Sequence, residues 1–137
     1  MLPRGIRCCN PLNIKEWAHD KTCWVGERAT DDDPIFEEFA AMSYGIRAAL
    51  IILRRYFLRY GLTTVEGIIT RWSATDQHSY ITTVCARMGV ERDTPLAWSE
   101  SVALGLIMAM SYVENGGDYL SEDDFKTAWE MLQEVRS

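Results

Sequence analysis

Ser99 to Val113 reads SESVALGLIMAMSYV and runs straight into Glu114-Asn115-Gly116-Gly117. This stretch decides the fold. Apolar residues occupy nearly every face of a helical projection, so the segment predicts the central helix of the core rather than a surface helix. Ser99 is an N-cap residue, and two consecutive glycines end the helix.

Working outward, the same helical grammar covers most of the chain. Ile46, Ala49, Leu50, Leu53, Phe57 and Tyr60 recur at three- and four-residue steps, with Ser43 as a candidate N-cap and Gly61 as the terminator. Thr63-Thr64-Val65-Glu66 has capping-box spacing and opens a short helix to Trp72. Another helix is expected from about Asp76 to Met88, stopping at Gly89. Ser121 caps a last amphipathic helix bearing Phe125, Trp129 and Leu132, with Asp123 and Asp124 suited to its N-terminal dipole.

Residues 1–40 read differently. Pro3, Gly5, Pro11, Gly26 and Pro34 break the chain into short runs. An irregular opening and a small β-hairpin are expected, with strands near Asn13–Trp17 and Cys23–Arg28, and a third short strand through Ile35–Phe39. The expected architecture is mainly α, of α+β type: about five helices around a central apolar helix, with a small N-terminal hairpin. The whole of 1–137 reads as one domain, irregular over 1–40 and helical over 41–137.

Composition bounds the function. At 137 residues and 47% hydrophobic content, with five Trp, six Tyr and four Phe, the chain can bury a core of its own. A net charge of −6 argues against a general nucleic-acid binder. The charge is uneven: residues 39–90 hold six Arg against two acids, and residues 91–137 hold ten acids against three bases. Internal complementarity explains this, and so does an oriented docking face; the Arg47–Arg59 stretch is the candidate for receiving an acidic partner.

No apolar run is long enough to span a bilayer, and Met1 to Asn13 lacks the apolar core of a secretory signal. These features predict synthesis in a bacterial host cytoplasm without a signal peptide, and no membrane insertion. Cys8, Cys9, Cys23 and Cys85 form no CxxC pair and are expected to be free thiols, a Cys23 bridge to Cys8 or Cys9 being the alternative. His19 and His78 lack ligand companions, so no metal is expected. Phosphate-loop and dinucleotide fingerprints are absent, so no cofactor is expected either.

Glu114 is the candidate for chemistry. A carboxylate at the C-terminal end of an apolar helix meets the negative end of the dipole, which favours holding a proton, as a general acid must. The alternative is a solvated Glu beside an Asn-Gly turn. Glycoside hydrolysis often needs a second carboxylate. Glu27, next to Trp24 and Gly26, is the first candidate, with Asp31, Asp32 and Asp33 behind it. Asn10 and Asn13 flank Pro11 and either fix a turn or bind an amide- or sugar-rich ligand. Asn115, next to Glu114, is a further substrate-binding candidate. Trp24 and Trp17 are the candidates for stacking on sugar, whereas Trp72, Trp98 and Trp129 read as core.

Arg4-Gly5-Ile6-Arg7 followed by Asn10-Pro11 and Asn13-Ile14 resembles the RGIRNNNPGNI opening of a family of small phage and prophage proteins, often labelled virion or structural proteins. The resemblance continues through Trp24-Val25-Gly26, Tyr44-Gly45-Ile46-Arg47-Ala48, Gly61-Leu62-Thr63-Thr64-Val65, Ile68-Ile69-Thr70-Arg71-Trp72, Tyr80 to Val84, and Glu114-Asn115-Gly116. This chain departs from the pattern at Cys8 and Cys9, which stand for asparagines, and at Leu12, which stands for glycine. Ser73-Ala74 replaces Ala-Pro, and Tyr112-Val113 precedes the Glu where a His is frequent.

A second resemblance concerns mechanism. Lysozyme-like muramidases and transglycosylases end a helix in the catalytic Glu and follow it with an Asn-Pro-x-Asn-Ile-like segment and a hairpin. The same parts occur here in rotated order, as in a circularly permuted lysozyme-like domain. The resemblance implies a phage-derived protein that cleaves the glycan strand of bacterial peptidoglycan, with Glu114 and Glu27 catalytic and Asn10, Asn13, Trp24 and Asn115 lining the cleft. Such a protein would be virion-associated or delivered to the cell wall. The alternative is a non-enzymatic virion component on the same frame, bound to other virion proteins.

Overall fold

The computed structural model describes residues 1–16, 24–29 and 32–133. Six helices occur among them: α1 (Arg4–Arg7), α2 (Met42–Leu58), α3 (Val65–Trp72), α4 (Gln77–Met88), α5 (Glu100–Asn115) and α6 (Glu122–Gln133). The chain is mainly helical, and five of these helices match the sequence expectation. The single turn of α1 was not anticipated, because four residues carry too little periodicity to register.

The helix ends follow local chemistry. Ser99 accepts a hydrogen bond from the Val102 N–H at 3.2 Å, and Ser121 accepts one from the Asp124 N–H at 3.1 Å. Gly89 and Gly116 close α4 and α5 at φ of 70°, in the left-handed region that glycine reaches without steric cost. Two expected caps shift. Ser43 lies inside α2, whose N-cap is Ala41 without a side-chain bond. At α3 the cap is Thr64, which accepts from Gly67 N–H; Glu66 does not reach back but pairs with Arg92 at 2.9 Å.

α5 shares the centre with α2. α5 packs on α4, α2 and α1, and α2 packs on α6 and α5. One continuous core results, running through Leu50, Leu53, Ile68, Leu106, Met110 and Phe125, all fully buried. Trp72, Trp98 and Trp129 pack against it, as their helical positions suggested.

The expected N-terminal hairpin is corrected. Among the described residues, β pairing consists of two isolated antiparallel bridges, Lys15 with Phe36 and Glu27 with Phe39. The residues around 35–40, expected to be the third strand, pair with both neighbours: Glu16 N–H bonds Ile35 O, Glu37 N–H bonds Ile14 O, and Arg28 N–H bonds Glu38 O. Side-chain chemistry imposes this order. Asp33 accepts from the Ile35 and Phe36 N–H groups at 2.9 Å each and grips Arg4, while Glu38 accepts from the Asp32 and Asp33 N–H groups. Trp17, His19, Cys23 and Asp31, which carried earlier expectations, lie outside the described residues. Cys8, Cys9 and Cys85 are free thiols.

The N-terminal segment is pressed onto the helices by glycines. A Cβ on Gly45 would collide with the Cys9 carbonyl, so only glycine lets α2 start this close to the segment. Gly5 is enclosed in the same way by Asn13, Asn115 and the Asn10 carbonyl oxygen. These contacts carry residues 9–14 to the C-terminal end of α5.

Candidate functional site

The site forms where that segment meets the end of α5. Asn10 builds the turn. It is 0% exposed, its Oδ1 accepts from Ile14 N–H at 2.9 Å, and its Nδ2 donates to Ile14 O at 2.8 Å and Glu37 O at 3.0 Å. Every polar atom of that amide is engaged and no surface remains for a ligand. Asn10 therefore fixes the turn, one of the two roles its sequence position allowed.

Asn13 follows at φ 55°, a left-handed conformation that asparagine tolerates better than most residues. That conformation points its amide at Glu114. Asn13 Nδ2 donates to Glu114 Oε1 at 2.9 Å, and Tyr80 Oη donates to Glu114 Oε2 at 2.8 Å. The carboxylate is thus clasped from two sides, by the N-terminal turn and by α4, and Glu114 itself remains partly exposed. Tyr80 is only 4% exposed. Its burial, reinforced by the adjacent Glu114 charge and hydrogen bond, pushes phenol ionisation far above its ordinary range, so it stays a donor.

Asn115 locks the underside. It is 8% exposed and donates to Pro11 O at 2.8 Å, Ser111 O at 3.0 Å and Ser111 Oγ at 3.2 Å. The Oδ1 atoms of Asn13 and Asn115 are sealed without a hydrogen-bond partner, and both face Gly5. With no Cβ there, a Gly5 Cα–H lies towards both oxygens, a weak polar contact that partly compensates them.

The carboxylates in residues 24–40 divide by role. Asp33 is bound to Arg4 through Nε at 2.5 Å and Nη2 at 2.6 Å, which holds its carboxyl well below the usual carboxylate range, with backbone N–H groups assisting. Arg4 also lies 4.5 Å over the Phe36 ring. Glu38 is buried, held low chiefly by the Asp33 and Asp32 N–H groups and then by Arg28. Both are committed to structure. Glu27 sits in the second bridge, opposite Phe39, and does not join the Asn13–Glu114–Tyr80 hydrogen bonds. Trp24 is partly buried against the core. Tyr80 escaped the sequence reading as a site residue. Its one signal was a phenol on the apolar face of a helix, which needs a partner when buried.

Among the described residues, no group of three or more His, Cys, Asp and Glu side chains is arranged to hold a metal ion. No helix of the described residues is long and apolar enough to cross a membrane.

A helical protein whose amino-terminal asparagine turn clasps a helix-terminal Glu is the class that the fold and site define. The chain belongs to a family of bacteriophage proteins that includes Protein P5 of Pseudoalteromonas phage PM2. It is 41% identical to that protein over 130 residues, which span 93% of this chain and 80% of the relative. No family model matches the chain.

Proposed function

We propose that this protein is a phage-borne, lysozyme-like enzyme that cleaves the glycan strand of bacterial peptidoglycan, with Glu114 as its general acid. The observation that carries the reading is the clasp: two donors, from residues 101 and 34 positions away in sequence, fix both oxygens of one partly exposed carboxylate. General acid catalysis requires a carboxyl held within hydrogen-bond reach of the leaving oxygen. Gly116 and Gly117 follow one residue further on, so the two positions that end the helix carry no side chains of their own.

In the proposed step Glu114 gives its proton to the glycosidic oxygen as the bond from the sugar C1 to that oxygen breaks. A water molecule, or a hydroxyl of the same sugar, then closes on C1 and returns a proton to Glu114. Glu27 is the leading second carboxylate, since Asp33 and Glu38 are spent on Arg4 and Arg28. Asn13 and Asn115 position the acid, and Trp24 offers a sugar platform. With the hairpin replaced by isolated bridges, what supports a lysozyme-like reading is the pairing of the Asn10–Ile14 turn with a helix-terminal Glu. The enzyme would be carried in the virion, or released to the wall during infection.

A second reading has one observation in its favour. Each Glu114 oxygen already bonds within the protein, which is also what a purely structural tie looks like. On that reading the protein is a non-enzymatic virion component. Incubation of purified protein with purified peptidoglycan separates the two: release of soluble muropeptides that Glu114→Gln abolishes supports the enzyme. No release at any pH, with the protein found in particles, supports the structural component.

A further inference from the structure

A groove opens where the end of α2 faces α3, and none of its residues joins the Asn13–Glu114–Tyr80 hydrogen bonds. It measures about 1010 Å³ and is lined by Tyr56, Tyr60, Leu62, Glu66, Thr70 and Arg71, with Gly67 among the polar side chains. The chain reverses there at Gly61, whose φ is 64°, and Leu62 N–H bonds back to Tyr56 O at 2.8 Å. That reversal brings Tyr60 and Leu62 to the wall that Tyr56 begins. On α3, Glu66 and Thr70 stand four residues apart, as do Gly67 and Arg71, so two adjacent rows of one helix face form the opposite wall.

The walls hold one another in place. Tyr56 meets Trp72 and Tyr60 edge-on, with ring centroids 6.3 Å and 6.5 Å away. The Arg71 guanidinium lies 4.8 Å over the Tyr60 ring and 5.7 Å over that of Tyr56, and Arg92 holds Glu66 at 2.9 Å. Side chains fixed in this way lose little freedom when something binds. Tyr60 is nonetheless 51% exposed, so an anchored ring still offers contact surface.

The lining selects a chemistry. Tyr60 and Leu62 present apolar surface, Arg71 only donates, Glu66 only accepts, and the Thr70 and tyrosine hydroxyls do both. One positive and one negative side chain give the lining no net charge with which to select an ion. A matching ligand has flat C–H faces and hydroxyl groups that both donate and accept, and a sugar ring has both. The groove is open rather than enclosed, which suits a stretch of polymer better than a small molecule buried on most sides. The backbone of both helical walls is engaged in its own hydrogen bonds, so an extended peptide finds no edge to pair with.

We propose that this groove binds a neutral glycan strand, with Tyr60 as its stacking platform and Arg71, Glu66 and Thr70 bonding to its hydroxyl groups. The site goes beyond the Glu114 reading and does not rest on it, because a structural virion component could hold a glycan there without cleaving it.

Calorimetric titration with chitohexaose in about 0.15 M salt tests it. The wild-type protein should bind saturably. Tyr60→Ala and Arg71→Ala should each weaken binding by about tenfold or more, and Tyr60→Phe should keep it. Both positions are exposed, so the variants should retain the core, which circular-dichroism melting checks. Hexagalacturonate, a carboxylated strand of the same length, should bind at least about tenfold more weakly than chitohexaose. Chromatography of the sugar after each titration reads cleavage separately, so a failed Glu114 assignment leaves the binding result standing. Absence of saturable heat with chitohexaose overturns the site, as does an affinity unchanged in Tyr60→Ala. Tighter binding of the polyanion overturns it too, because Arg71 would then be acting as an anion site.

Discussion

Tyr80 has one proton to share and gives it to Glu114. Hydrogen bonds to charged groups contribute about 1.5–3 kcal/mol, so Tyr80→Phe should slow peptidoglycan cleavage by roughly 10- to 100-fold. Melting should move much less, because the ring keeps its place in the core. Muropeptide release and circular-dichroism melting, measured on the same preparation, separate the two effects. Asp33 gives a pH prediction. Its carboxyl is held below its ordinary value by Arg4, so the folded state favours the ionised form. The stability from this pair is complete above the unfolded carboxylate pKa of about 3.9 and is lost as pH falls through that value towards the folded one. Asp33→Asn should therefore lower the melting temperature at neutral pH and flatten its decline below about pH 4. An unchanged acid limb in that variant would count against the Arg4 clasp.

At the scale of elements, the glycines in the amino-terminal segment matter more than its pairing. Gly5→Ala places a methyl group against Asn13, Asn115 and the Asn10 carbonyl. Overpacking of that kind costs about 1–3 kcal/mol, and here it also pushes Asn13 away from Glu114, so stability and cleavage should fall together. What could be read beforehand follows from range. Ser99, Gly116, Gly89 and Ser121 punctuate helices through bonds to neighbours three or four residues away, and each end falls where its chemistry puts it. The Thr63-x-x-Glu66 spacing misled because Arg92, 26 residues on, competes for Glu66. The hairpin misled because Asp33 and Glu38 organise residues 32–40 into the element that both neighbours pair with. Glu114 and Asn13 were both legible as candidates. Their contact spans 101 residues and depends on Gly5 and Gly45, and no local pattern encodes it.

At the scale of the molecule, α2 and α5 carry one core, and the site is an outcome of their packing. Leu106→Ala should cost about 2–5 kcal/mol, with far-ultraviolet circular dichroism and tryptophan fluorescence reporting one coincident transition. Two separated transitions would contradict a single cooperative unit. The charge asymmetry is used in part: Arg87 with Asp118 joins the basic and acidic regions, while among the described residues the α2 arginines show no ion pair. The central claim is that a helix-terminal Glu, clasped by Asn13 and Tyr80, performs acid catalysis on a glycan. Chromatography of muropeptides released from purified peptidoglycan by wild-type protein and by Glu114→Gln, matched for folding, tests it most directly. The account predicts release by the wild type and a loss of at least about a hundredfold in the variant. Equal release by both, or none by the wild type, would contradict it.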